Sequence, residues 1–493
     1  MLMPSLSIST ECEASGNLGL TGCRRAWRLL SAGAGFAVLL AVLLAVLLWP
    51  ALLNGYPLVF SDSGTYLLQI PERHLGWDRP VFYSLLMVPL HAMLTTWPVV
   101  VAQAALTLYL LRVALCVFAG SPRGLAAIVG VLAVATGLPW VTAELIPDFS
   151  TALLAIVMCV LAVAPERVGR REHLGLAVVA AGLISVHQSN LPLAGLLLAS
   201  LLLLRRPLGA AAAPGLRGVM LAAGPLLAAT LALSAVNLIG HGRVSPAPYG
   251  NIFVLARSLA DGPAMATLRQ DCPHAGWRLC LLVQEGQPTD ADLFLWREDS
   301  ALYRVGGAVR EAPEANAILR ATLAERPGAV LRAALSNFLR QLGMVATGDG
   351  LMAWPVTVTP VIHRDFPAAE ARRYDAALQT RGRLAVPDWL KRLHAAALLA
   401  GVAATVIAFL LALRRRHRVA ALCAGALICL LGNAAITGAL SGPHDRYQSR
   451  IAWLPVFVPV VAGLALRRGA PAGLVNPLPG PASADIAEPT AWS

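Results

Sequence analysis

Three short stretches carry the residues able to do chemistry. "FSDSGTYL", 60–67, places Asp62 between two serines, with Gly64 and Tyr66 after it. "ELIPDF", 144–149, places Glu144 and Asp148 four residues apart, the helical spacing that puts two side chains on one face. "SGPHDRYQSR", 441–450, holds His444, Asp445, Arg446, Tyr447 and Arg450. A carboxylate can take a proton from a hydroxyl as it attacks. An arginine fork can hold a phosphate through two parallel hydrogen bonds. Carboxylates with arginines therefore suggest proton abstraction beside a bound anion. Each stretch also has a plainer reading. Ser, Asp and Gly build tight turns, Glu144 and Asp148 suit a helix start, and Arg446 could pair with Asp445 or with lipid headgroups. His187, in "HQSN" at 187–190, reads first as a turn residue or an interhelical hydrogen-bonding one. No Cys or His spacing suggests zinc, and no phosphate-loop or dinucleotide fingerprint is present.

The elements that must position these stretches are apolar. The 493-residue chain is 57% hydrophobic and 13% charged, about half the charge of an average soluble domain, which marks a membrane protein. Its net charge of +12 does not point to nucleic acid. The arginines sit in short clusters between apolar runs: Arg24, Arg25 and Arg28; Arg167, Arg170 and Arg171; Arg205 and Arg206; Arg414, Arg415, Arg416 and Arg418; Arg467 and Arg468. That is the positive-inside pattern, whereas a nucleic-acid face gathers its basic residues on one soluble element.

A span needs roughly 20 apolar residues. Candidate spans are 29–53, 98–118, 124–141, 145–164, 218–238, 394–413, 419–438 and 451–466. The run 174–204 lies between two arginine clusters, so it must go out and return, turning at 187–190. The stretch 81–97 is read as lying on the outer surface, which keeps every arginine cluster inside. The expectation is an all-α polytopic protein of about ten transmembrane helices in a cell (inner) membrane, with both termini cytoplasmic. Its parts are a cytoplasmic segment 1–28, an N-terminal transmembrane module 29–238 with an outer loop 54–97, an extracytoplasmic domain 239–393, C-terminal helices 394–468 and a disordered tail 469–493.

The insertion 239–393 is expected to be mostly helical. Within 327–342, Leu331, Leu335, Phe338 and Leu342 recur at helical spacing. Cys272 and Cys280 lie close together there, and on the outer side of a membrane they could form a disulfide.

This layout resembles the GT-C superfamily of membrane glycosyltransferases, as in protein O-mannosyltransferases and the aminoarabinose transferase of lipid A. The likeness rests on "FSDSGTYL" after the first span, the juxtamembrane "RPVFYSLLMVPL" at 79–90, the acidic "ELIPDF" between the third and fourth spans, and the closing "HDRYQSRIAWLPVFVP" at 444–459. The resemblance implies a GT-C-like fold and transfer of a sugar from a polyprenyl-phosphate donor to an extracytoplasmic acceptor. Its partners would be membrane lipid and that donor. By matching position, Asp62 is the expected base, and Glu144 and Asp148 are expected to bind the acceptor or a divalent metal. Arg446 is expected to hold the donor phosphate, with His444, Tyr447, Arg79 and Tyr66 also lining the substrate.

Other classes stay open. One is a transporter or flippase for a lipid-linked anion, which would need ionisable residues deep in several spans. Another is a membrane acyltransferase using His187 with Asn190. A third possibility is that the 239–393 insertion serves only as a docking module.

Overall fold

The computed structural model describes residues 34–210, 212–285 and 290–468. The expected cytoplasmic segment 1–28, the first residues of the 29–53 run and the expected disordered tail 469–493 lie outside the described residues. Every regular element among the described residues is helical, and the one extended pairing is a single parallel bridge between Leu58 and Glu144. Counting helices of eight residues or more, the N-terminal half runs α1 Ala34–Leu47, α2 Ser61–Leu68, α3 Phe82–His91, α4 Trp97–Ala119, α5 Leu125–Ala135, α6 Ser150–Val163, α7 Arg170–Ser185, α8 Asn190–Leu203 and α9 Leu216–His241. Then follow α10 Gly250–Asp261, α11 Pro263–Ala275, α12 Gly307–Glu325, α13 Pro327–Gly343, α14 Ala368–Ala376, α15 Asp388–Arg414, α16 Val419–Leu440 and α17 Leu454–Arg467.

Among the described residues, five helical stretches are long and apolar enough to cross a membrane: α4, α9, α15, α16, and Asp445–Arg467, which contains α17. The other expected spans are shorter pieces. Helices α1, α6 and α8 have 14 residues each, α7 has 16 and α5 has 11. At about 1.5 Å per residue all fall short of a hydrocarbon layer roughly 30 Å thick. The breaks have local causes. Pro50 opens a new short helix at Trp49, and Pro139 and Pro147 do the same after α5 and before α6, because proline suits a first helical turn but not an interior. Helix α3, only 10 residues long, is also too short to cross.

The apolar length is spent in two ways. Every residue of α6 is buried, and it packs against α4, α7, α8, α9 and α16 as the centre of the bundle. A helix apolar on all sides belongs in such a position. Backbones approach closely there: a Cβ on Gly218 would lie 1.9 Å from the Ala162 carbonyl oxygen, so only glycine fits. By contrast, α9 and α15 expose rows of large apolar side chains, among them Leu227, Leu231, Leu238, Leu399, Val406 and Leu410. On helices of this length, such surface is lipid-facing.

The insertion is two structures. Residues 249–319 have their own core, including Tyr249, Leu255, Phe294, Leu302 and Ile318. Val358, Ile362, Phe366, Tyr374, Leu384 and Leu390 instead join the core of the membrane body. Cys272 and Cys280 are disulfide-bonded, Cα to Cα 5.5 Å. A link closing so short a loop contributes about 2–3 kcal/mol. Replacing both cysteines by serine should speed hydrogen exchange in α10–α12 and leave α6 and α16 unchanged. Free thiols at both positions in non-reduced protein from intact membranes would overturn the link and its oxidising side.

Candidate functional site

The three sequence stretches meet because backbone and side chains stitch their loops together. The Leu58 N–H donates to the Ala143 carbonyl at 2.9 Å, and Leu145 N–H donates back to Leu58 at 2.8 Å. Buried Ser63 donates to the Leu145 carbonyl and accepts from the Phe60 N–H. Gln103, on α4, donates to the carbonyls of Thr142 and Glu144, each at 2.9 Å. Gln379 brackets Val59 through both its backbone groups. "SDSG" is not a tight turn: it opens α2, with Asp62 in the first turn, where a carboxylate meets the helix dipole favourably. Gly64 is required by space, since a Cβ there would sit 1.9 Å from the Thr357 carbonyl oxygen.

The charges form an alternating ladder of three acids and three arginines. Arg450 Nη1 donates to Asp148 Oδ1 at 2.8 Å. Arg446 Nε lies 3.4 Å from Asp148 Oδ2, and its Nη1 lies 3.9 Å from Asp62 Oδ2. Arg79 Nη2 reaches Asp62 Oδ1 at 3.1 Å and Asp78 Oδ2 at 2.6 Å. The side chains of Arg450 and Asp148 are 0% and 3% exposed and that of Asp62 is 26% exposed, with Arg79 and Asp78 at 11% each beyond it, so the ladder is dry at Arg450 and wettest at Asp62.

The dry end is largely furnished, although Arg450 Nε and Asp148 Oδ2 are buried without a hydrogen-bond partner. Arg450 Nη2 donates to Ser189 Oγ and to Asn433 Oδ1. The Ser189 N–H donates to His187 Nδ1 at 3.2 Å, and His187 Nε2 lies 3.0 Å from Arg450 Nη1 and 3.3 Å from Asp148 Oδ1. Burial and the neighbouring Arg450 push the His187 pKa down. Both ring nitrogens are thus engaged. Asn190 is buried elsewhere, bonded to Ser150, Thr151 and the Leu183 carbonyl.

The wet end is held by aromatic rings. The Arg446 guanidinium stacks 3.9 Å above the Phe60 ring, with Tyr447 at 5.1 Å. Arg79 lies 5.6 Å from the Tyr66 ring, which packs edge-on against Tyr83. Two cavities flank the ladder. One, about 350 Å³ with its mouth, is lined by Trp140, Glu144, Asp148, Thr347, Asp349 and Arg446 among others. The other, about 360 Å³ with its mouth, lies beside Arg79 and reaches Leu233 and Val236 of α9.

Of the residues expected from sequence, Asp62, Asp148, Arg446 and Arg79 come together directly. Tyr66 is buried, with the Arg79 guanidinium 5.6 Å from its ring. His444 faces Asp292 at 3.4 Å, and Tyr447 lies between the Arg446 and Arg450 guanidinium groups. The donor set does not suit a metal at Asp148, because two guanidinium groups already occupy it. Glu144 has a buried oxygen without a hydrogen-bond partner, and burial pushes its pKa up to about 8, which favours a neutral carboxyl over an anionic ligand. Arg450 stood out only as a second arginine beside Arg446, and Asp78, Asn433 and the strap 346–351 were not singled out at all. The i, i+4 spacing of Arg446 and Arg450 was the available signal for the first. The strap's signal was "TGDG", in which Gly348 and Gly350 adopt positive φ, Asp349 accepts from the Arg446 N–H, and the Ala346 N–H donates to Asp445. In comparison with known proteins, the chain matches no family model, no curated protein and no solved structure.

Two outcomes follow for the dry end. Arg450→Met strips a buried carboxylate of its best partner and should cost about 3–5 kcal/mol, read as a lower melting temperature in detergent; an unchanged melting temperature would mean that Asp148 is hydrated. Glu144 gives a pH signature. Its folded pKa is raised, so the stability from burying it neutral is full below its unfolded pKa and lost as pH rises towards about 8. Glu144→Gln should flatten melting temperature against pH over that window; an identical slope in both proteins would place the titration elsewhere.

Proposed function

We propose that this protein is an integral membrane glycosyltransferase that moves a sugar from a polyprenyl-phosphate donor to a hydroxyl on the extracytoplasmic side. The observation that carries the reading is the position of Arg446, between Asp62 and Asp148 at the edge of a cavity and at the head of a membrane-buried bundle. Asp62 is the base. Its Oδ2 faces Arg446 at 3.9 Å, beyond hydrogen-bond length, which leaves that oxygen able to accept a proton. The acceptor hydroxyl gives its proton to Asp62 while its oxygen bonds the anomeric carbon. The bond from that carbon to the phosphate oxygen breaks, and the lipid phosphate departs with the electron pair. Arg446, with Arg79 behind Asp62, faces the charge that develops there. No step runs through a metal. The cavity beside Arg79 adjoins α9, which exposes much of its surface, and this suits a donor arriving from lipid. The same reading takes the shorter helices as completing about ten crossings in a GT-C arrangement, in a cell membrane with both termini cytoplasmic. Both nitrogens of His187 are engaged, which weighs against an acyl-transfer role.

Asp62→Asn keeps size and helix-start character but cannot take the proton. It should express normally and lose turnover by roughly 10²–10⁴-fold in proteoliposomes supplied with a polyprenyl-phosphate sugar. Arg446→Lys keeps the charge and loses the fork, so it should raise the KM for the donor more than it lowers kcat. Wild-type transfer by Asp62→Asn would move the base elsewhere.

A further inference from the structure

Helix α13 is inside out. Its polar Asn337 and Gln341 are buried, while Leu331, Leu335 and Leu339 are 70%, 54% and 58% exposed. The buried polar groups are satisfied. Asn337 donates to Asp261 at 2.6 Å, and Gln341 exchanges two hydrogen bonds with the backbone of His444. A helix on a water-facing domain places leucines inward and amides outward. The reversal therefore needs an apolar medium on the outer side.

The location supplies one. Helix α13 packs along α16, and the contact is close: a Cβ on Gly438 would lie 2.8 Å from the Asn337 carbonyl oxygen and 3.0 Å from Gln341 Cβ. Gly438 is near the end of a helix long and apolar enough to span a membrane, so α13 sits at the level where α16 leaves the apolar layer. Leu431 and Leu440 on α16 are themselves exposed, and the leucine row of α13 continues that surface. Successive members of the row are four residues apart and drift by about 40° per step, forming a narrow stripe. Exposed Arg332 and Arg340 border it, where guanidinium groups can meet anionic headgroups.

We propose that α13 lies alongside α16 at the outer leaflet, with Leu331, Leu335 and Leu339 in the acyl region and Arg332 and Arg340 at anionic headgroups. The helix then moors the insertion beside the ladder of charges. This does not depend on the reaction proposed above.

The test uses the full chain in vesicles of phosphatidylcholine with phosphatidylglycerol, in a background lacking other reactive thiols. Single cysteines bearing a spin label replace Leu331, Leu335, Leu339 and, on the exposed arginine side, Ser336. These sites are on the surface, so folding should survive. Labels at the three leucine positions should collide more with dissolved oxygen than with a water-soluble nickel complex, and the label at Ser336 should show the reverse. Equal access of nickel to all four would place α13 in water and overturn the proposal. Shielding of the leucine sites from both reagents would also overturn it, because it would mean that a protein surface, such as a second copy of this chain, covers the stripe.

Discussion

Asp148 and Arg450 form an ion pair with almost no water around it, and the rest of the site is arranged to make that tolerable. Removing two charges from water costs several kcal/mol per ion unless their remaining hydrogen-bonding groups are also met. Ser189, Asn433 and His187 meet several of them, and Arg450 Nε and Asp148 Oδ2 stay without a hydrogen bond. Ser189 and His187 come from one turn and Asn433 from α16, so the pair holds α16, the 186–189 turn and the start of α6 in register. Arg446, one turn before Arg450, adds a second cation to the same acid. The surplus positive charge is then answered by Asp62, and the alternation continues outward through Arg79 to Asp78. The anchored end is rigid and dry. The step from Arg446 to Asp62 is wetter and more loosely spaced, at 3.9 Å, which is where a reacting group could enter.

Much of this was legible in the sequence, for a physical reason. A charged residue beside an apolar run is conspicuous, so Asp62, Asp148 and Arg446 stood out in a chain with few charges. The partners did not. Arg450 is visible only as a second arginine beside Arg446, Asn433 is hidden in a helix, and Asp349 approaches only through folding of the insertion. The helices were less legible than the site. Hydropathy registers the length of an apolar run but not whether proline or a loop divides it, and so the runs 124–141 and 145–164 hold helices shorter than the runs themselves. Likewise "SDSG" suits a turn and a helix start equally; the contact of Gly64 with Thr357 shows why small residues are needed, and no local pattern contains it.

The insertion shows a different limit. Spacing in 327–342 announced an amphipathic helix, and α13 is one. Periodicity identifies a face without identifying what it faces. Leu331 and Leu335 turn outward, while the amide side chains turn inward to Asp261 and His444. In the same way, one polar stretch of sequence became two structures, because 358–390 found the apolar surface of the membrane body and 249–319 made its own.

The separation of Asp148 from Arg450 along the chain, 302 residues, has a consequence during synthesis. At roughly 5–20 residues per second, about 15–60 s pass between translation of the acid and translation of its cation. Throughout that interval the start of α6 carries a carboxylate whose two guanidinium partners do not yet exist. The nascent bundle must therefore keep that end at the lipid–water boundary, or keep the acid protonated, until the last helix arrives. Any ribosomal stall in the final third of the message lengthens the exposure of this one group.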